Sequence, residues 1–313
     1  MAVLSTGTTN FSNTVTPWVQ RQVLENLRAK YVHALPGNYQ EGEFLKGTNL
    51  VTMVAYPDPA ASTATLTEGT PPSEEALTIS TESFSASQFG RVFAVTDVAM
   101  TQSPHNLMDI IVERLADLAA KTIDDQVRRE LLNGTNVLYS NGAARSAVSA
   151  ALTGDLIKRA VARLQAANVP TFPDGYYRAI IHPYAAASLQ RDTANGGWMD
   201  IYKYTNVPGG ILSSLEIGSY AGVRFLISSA ASVFTGAGAG SADVYATTII
   251  GPNAYVLAWM QRLQTFLIPP GGDHTDPLAQ KAQVGFKMML GCRLIRTATT
   301  ERIIRVESTV LTP

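Results

Sequence analysis

From Pro104 to Asn133 the chain contains no glycine and no further proline, and no other feature limits the possible folds as strongly. Ser103 is a good N-cap, and Pro104 suits the first helical position because its missing N–H would have no partner there. Asn133-Gly134 is a favourable C-terminal stop. Inside these limits Leu107, Ile111, Leu115 and Leu118 form one stripe, continued with an offset by Ile123, Val127 and Leu131. The spacing predicts one helix over 104–133, a rod roughly 43 Å long at about 1.5 Å per residue. Globular helices average about 11–12 residues, so this one is expected to span the whole molecule.

Downstream, a second helix is predicted after Thr153, with Leu156, Ile157, Ala160, Val161 and Leu164 on one face and Pro170 closing it. From Tyr176 the pattern changes to short β-like runs at 176–182, 223–229, 244–250, 254–259 and 283–290. A terminal hairpin is expected, 293–297 against 302–307, turning at Ala298-Thr299-Thr300-Glu301. These runs do not alternate with helices of about 10–15 residues, which disfavours a doubly wound parallel sheet and predicts a mixed α+β fold.

Upstream, residues 1–40 are polar and of low complexity as far as Pro17, then form a short helical stretch in which Val19, Val23 and Leu27 recur every four residues. This reads as an arm that needs another surface to lie on. Two strands are predicted at 48–56 and 76–84, separated by a connection rich in Pro, Ala, Ser, Thr, Gly and Glu. That connection is too long for a tight turn and too poor in apolar residues to pack alone, so 41–90 is expected to protrude as a two-stranded loop.

Charged residues make up 16% of the 313-residue chain and hydrophobic ones 46%, so some surface is expected to be covered by partners. The 24 Lys and Arg against 25 Asp and Glu remove the basic excess of a dedicated nucleic-acid binder. Residues 1–20 carry no charge and lack both the basic and the apolar region of a secretory signal, and no apolar run is long enough to span a bilayer. A soluble intracellular protein with no membrane partner is expected. Cys292 stands alone in an apolar run and reads as a core thiol.

The common catalytic signatures are absent: no Walker A loop, no H-E-x-x-H, no C-x-x-C and no G-x-S-x-G occurs. Gly236-Ala237-Gly238-Ala239-Gly240 imitates a phosphate loop but leads into another strand, where a dinucleotide site needs a helix N-terminus; it reads as an inter-strand loop. His182, before Pro183, reads as a hydrogen-bonded structural histidine. Asp273-His274-Thr275-Asp276 reads as a solvated turn rather than a metal site. Asp124 and Asp125, about 100° apart on the long helix, read as surface charges, with Asp125 placed to meet Arg128 or Arg129. No catalytic, cofactor-binding or metal-binding residue is assigned.

Local charge is more informative. Residues 41–90 hold seven acids, Glu68, Glu74 and Glu75 among them, against Lys46 alone. Residues 281–305 hold Lys281, Lys287, Arg293, Arg296, Arg302 and Arg305 against Glu301 alone. An acidic loop and a basic strand region on one chain suit head-to-tail contact between identical copies, the alternative being solvated faces that never meet. Glu68, Glu74, Glu75 and the six cations are therefore the candidate intersubunit residues.

The order of parts (arm, long loop, one very long helix, compact mixed domain, returning strands) resembles the major capsid proteins of tailed bacteriophages, with the Hong Kong ninety-seven type of fold. Three stretches sharpen the resemblance: Ala179-Ile-Ile-His-Pro-Tyr-Ala-Ala-Ala-Ser-Leu-Gln-Arg191, Leu215-Glu-Ile-Gly-Ser-Tyr-Ala-Gly-Val-Arg-Phe-Leu-Ile227 and Asp276-Pro-Leu-Ala-Gln-Lys-Ala-Gln-Val-Gly-Phe-Lys287. Together they resemble the group typified by coliphage N-four over roughly residues 15–308. The resemblance implies an N-terminal arm at 1–40, an extended loop at 41–96, a peripheral domain from 97–150 and 262–313, and an axial domain at 151–261. It implies no enzyme and no cofactor, but a shell protein forming pentamers and hexamers around double-stranded DNA. It also implies assembly in the host cytoplasm with a separate scaffold protein, a portal and a decoration or cement protein. The alternatives are a bacterial nanocompartment shell of the same fold and an α+β enzyme whose site motif goes unrecognised.

Overall fold

The computed structural model describes residues 32–35, 37–42, 44, 49–55, 65, 68–69, 79–103, 107–192, 216–271, 278–297 and 300–310. The first half of the chain supplies β1 (Tyr39–Gly42), β2 (Leu50–Ala55), β3 (Ser80–Ser85), β4 (Ser87–Thr96), α1 (Asp97–Gln102), α2 (Leu107–Leu131), β5 (Val137–Tyr139) and α3 (Gly154–Ala166). β6 (Tyr177–Ile181), α4 (Pro183–Gln190), β7 (Glu216–Tyr220), β8 (Val223–Ile227), β9 (Val233–Phe234) and β10 (Val244–Ile250) follow. The chain ends with β11 (Tyr255–Ile268), β12 (Lys281–Leu294), β13 (Arg296–Thr297), β14 (Thr300–Glu301) and β15 (Ile303–Ser308).

Two sheets organise these elements. A four-stranded sheet has the order β1-β11-β12-β4; a seven-stranded one runs β5-β15-β10-β6-β8-β7, with β9 beside β10. Hairpins β2–β3 and β13–β14 hydrogen-bond into neither sheet, but the base of the first does not protrude as expected: Val51, Met53 and Phe84 pack with Val256 and Ala258 of β11.

The long helix α2 covers the four-stranded sheet. Its buried face is Val112, Leu115, Ala116, Ala119, Ala120, Ile123, Val127 and Leu131, packed with Leu257, Leu263, Val284, Phe286, Met288 and Leu290. The three alanines bring the helix axis close to the strands, while each large aliphatic side chain buried here contributes about 1.5–3 kcal/mol. On the other sheet lies α3, through Leu156, Ile157, Ala160 and Leu164, over Tyr177, Ala179, Ile181, Phe225, Ile249 and Ile304.

Several expectations are corrected. Ser103 is the C-cap of α1, its N–H donating to the Ala99 carbonyl at 3.1 Å, and Thr96 provides the N-cap of that short helix. The described part of the long helix starts at Leu107, and 104–106 lie outside the described residues. β4, unforeseen, extends the loop's descending strand into the sheet. The broad terminal hairpin is replaced by a small one, Arg296↔Glu301 and Thr297↔Thr300. β15 instead inserts between β10 and β5, because its six residues are all buried and need partners on both edges. β11 and β12 run to 14 residues each, longer than their apolar runs predicted.

Other expectations meet the structure directly. β2 and β3 pair antiparallel from Leu50↔Ser85 to Ala55↔Ser80. Thr153 precedes α3 as its N-cap, and β10 matches 244–250. The glycine-rich segment connects β9 to β10, which pair antiparallel, so it is an inter-strand loop. The arm stripe at Val19, Val23 and Leu27, Lys46, and the Asp273–Asp276 turn lie outside the described residues. Among the described residues no helix is long and apolar enough to cross a membrane.

Candidate assembly surfaces

The six cations of the basic region have distinct fates. Arg293 bridges two elements, its Nε 3.6 Å from Glu82 on β3 and its Nη1 3.8 Å from Glu130 at the end of α2. The loop's acidic charge therefore meets the basic region within one chain at this point. Arg296 pairs with Glu301 at 3.0 Å and donates to the Asn133 carbonyl at 3.1 Å. Glu301 in turn accepts from the Thr135 N–H at 2.7 Å and the Asn136 N–H at 3.1 Å, tying the chain leaving α2 to the β13–β14 hairpin.

Arg305 is only 6% exposed, which withdraws it from any contact surface. It donates to Glu307 at 2.8 Å and to the Leu132 carbonyl, while Arg145 grips the same Glu307 carboxylate through two bonds of 2.7 Å. The Glu307 bond raises the Arg145 pKa above its ordinary value. Spacing along the sequence cannot show that a cation on a doubly paired strand faces inward.

Arg302 donates to the Pro252 carbonyl at 3.3 Å. Lys281 and Lys287 lie on β12, paired in register with Thr96 and Gly90 of β4. Lys287 borders a cleft of about 580 Å³ with Phe89, Val92, Phe266 and Gly285. On the acidic side Glu68 is exposed, and Glu74 and Glu75 lie outside the described residues.

Two polar sites carry more structure than their sequence suggested. Asp124, expected on the surface, is 7% exposed. Its Oδ1 accepts the His33 N–H at 2.7 Å and the Val32 N–H at 3.1 Å, and its Oδ2 lies 2.6 Å from His33 Nδ1. Burial alone would raise this carboxyl's pKa, but the His33 ring and the two backbone donors together bring it below its ordinary value. Tyr255 Oη donates to the His33 carbonyl at 2.8 Å, so the root of the N-terminal arm is fastened to both α2 and β11. Asp125, one residue on, meets Arg128 and Arg129 as expected.

His182 is the N-cap of α4, with Nδ1 accepting the Tyr184 N–H at 3.3 Å and Pro183 at the first turn. Its ring lies 4.9 Å from that of Tyr245, and desolvation lowers its pKa. The neutral, accepting imidazole is therefore a structural cap. Cys292 packs at the edge of the larger core, and burial pushes its thiol pKa upward. Among the described residues no three His, Cys, Asp or Glu side chains are grouped to hold a metal.

The described chain is thus a long helix laid on one sheet, a second α/β core, and a hairpin whose base rests on the first sheet. The sequence pattern of the family described as phage capsid protein matches residues 80–275, more than half of the chain. The chain belongs to this phage capsid protein family. The capsid protein's fold is also that of solved capsids. The capsid of Ralstonia phage GP4 matches with a TM-score of 0.73 at 15% identity, covering 92% of this chain and 91% of the other. The cyanophage Pam1 capsid asymmetric unit matches with a TM-score of 0.69 at 13% identity, covering 90% and 93%. A virus-like particle from Pyrococcus furiosus gives a TM-score of 0.50 at 11% identity, covering 93% and 99%, so the phage shells share more of this capsid protein's geometry. No curated protein matches it by sequence.

Proposed function

We propose that this capsid protein is the major subunit of an icosahedral shell, assembling with itself into pentamers and hexamers around a double-stranded DNA genome. The family match over residues 80–275 carries this reading. In it, residues 97–150 and 262–313, with α2 and β12, form the peripheral domain, and residues 151–261, with α3, α4 and most of the seven-stranded sheet, form the axial domain. The shell subunit is not an enzyme. A separate scaffold protein guides assembly in the host cytoplasm, a portal occupies one vertex, and a decoration or cement protein adds to the outside.

The projecting loop, with Glu68, Glu74 and Glu75, lies on a neighbouring copy. Its receiving surface includes Lys281, Lys287 and Arg302, with Arg293 and Arg296 also engaged inside their own chain. The supporting observation is the acidic excess of residues 41–90 against the basic excess of residues 281–305, of which Lys287 borders the β12 cleft. Electron microscopy of the expressed chain, with and without a scaffold, is the test. Closed particles of uniform diameter are expected; a chain that stays a monomer under both conditions would sink the proposal. Nuclease-protected DNA inside particles purified from infected cells separates a phage shell from an empty nanocompartment.

A further inference from the structure

β4 is an edge strand left unguarded. It pairs with β12 along its whole length, from Lys281↔Thr96 to Leu290↔Ser87, and with no other strand among the described residues. An edge presents a row of unpaired N–H and C=O groups, and proteins blunt such rows with charge, proline, bulges or brevity. β4 uses almost none of these: it has ten residues, no proline, one charge at Arg91 and an uninterrupted register. By contrast, the sheet's other edge strand, β1, has four residues.

Beside this edge lies the 580 Å³ cleft. Phe266, Gly285 and Val92 form one row across three strands, with Phe266 48% and Val92 62% exposed. Gly285 keeps the floor low, since a Cβ there would meet Val92 Cγ2 at 2.9 Å and the Arg91 carbonyl at 3.1 Å. A strand added to β4 would find backbone partners along the edge and an apolar recess for the side chains of one of its faces.

The chain itself contains a segment of the required chemistry. Residues 3–16 carry no charge, so they can join an almost uncharged edge without burying an ion. Val3, Thr6, Thr8, Thr9, Thr14, Val15 and Thr16 are β-branched, favouring extended backbone, and Pro17 ends the run. With a period of two, Val3, Phe11 and Val15 share one face. The arm's root is fixed at His33 by Asp124. The tether of residues 17–32 reaches about 50 Å when fully extended and roughly 33 Å with a helix around 19–27, lengths on the scale of the subunit itself.

We propose that residues 3–16 add to β4 as a further strand, with Phe11 directed to the Val92–Phe266 recess. The test is oxidative crosslinking of the full-length double variant Phe11→Cys, Val92→Cys, with each single variant run beside it to show any bond made by half-buried Cys292. A bond between the new cysteines is expected, giving a ladder of linked chains if the strand comes from a neighbour and a compact monomer if it comes from the same chain. Absence of both products overturns the proposal. A second measurement leaves β4 untouched: amide exchange across 87–96 in Val3→Asp, Phe11→Asp, Val15→Asp, whose changes lie outside the described fold. Exchange at alternate β4 amides should rise at least about tenfold over wild type, because an open edge exchanges nearly freely. Unchanged exchange overturns it equally.

Discussion

A carboxylate in a protein interior is tolerated only when its lone pairs are answered, and at Asp124 the answering groups all come from the arm's root. Replacing Asp124 with Ala leaves two buried N–H donors and the His33 ring without their acceptor, a cost of about 3 kcal/mol or more. Denaturant unfolding should show that loss, and proteolysis of the free subunit should move from sites before Val32 to sites beyond it. Because the Asp124 pKa is lowered in the folded protein, its contribution is complete above the ordinary carboxylate range and is lost as pH falls through the lowered value. His182 titrates with the opposite charge but the same pH direction. Its lowered pKa means the unfolded chain binds a proton first, so stability falls as pH drops below about 6.5 towards the folded value. Protonation also removes the lone pair that caps α4. His182→Gln should flatten stability in that pH window while leaving shell yield nearly unchanged; a loss of hydrolytic or transfer activity in this variant would overturn the purely structural role.

At the scale of elements, α2 ties the rest together. Leu118 lies near its middle, packed against the larger core, and its carbonyl accepts the Thr122 hydroxyl at 2.7 Å. Proline at 118 removes a helical hydrogen bond and clashes with the preceding turn, costing about 3 kcal/mol or more. Assembly should fail, and circular dichroism should report a broken or shortened helix; normal particles from Leu118→Pro would contradict this account. The helix was legible in the sequence because Leu115, Ile123, Val127 and Leu131 recur at helical spacing. Its true buried face was less so, since Ala116, Ala119 and Ala120 are three of its eight apolar positions and a hydrophobic stripe search favours large residues over small ones.

For the whole molecule, charge complementarity between copies is now carried by fewer groups than the local balance suggested, with Arg305 buried and Arg293 and Arg296 paired at home. Exposed ion pairs are worth about 0–1 kcal/mol each, so no single contact dominates. A closed shell repeats each contact many times, and weak contacts then bias assembly. Reversing Glu68, Glu74 and Glu75 to Lys should lower particle yield while leaving the subunit's thermal midpoint unchanged. Moderate salt should slow early assembly of the wild type in the same direction. If the triple variant assembles with wild-type yield and salt response, the loop docks without help from its charge.

Sequence alone determined what depends on neighbours along the chain: the long helix, the corner at His182-Pro183, the β2–β3 hairpin, the Asp125 pairs with Arg128 and Arg129, and the α+β class. Periodicity, caps and turn residues act over a few positions and can be read there. Tertiary structure decided what depends on partners far away. β15 leaves its expected hairpin because β10 and β5 offer hydrogen bonds on both of its edges, and Arg305 turns inward because Glu307 neutralises it there. Asp124 is buried because an arm some ninety positions upstream brings His33 to it. Such choices rest on desolvation and pairing between segments that are adjacent only after folding, and a linear pattern holds no record of them.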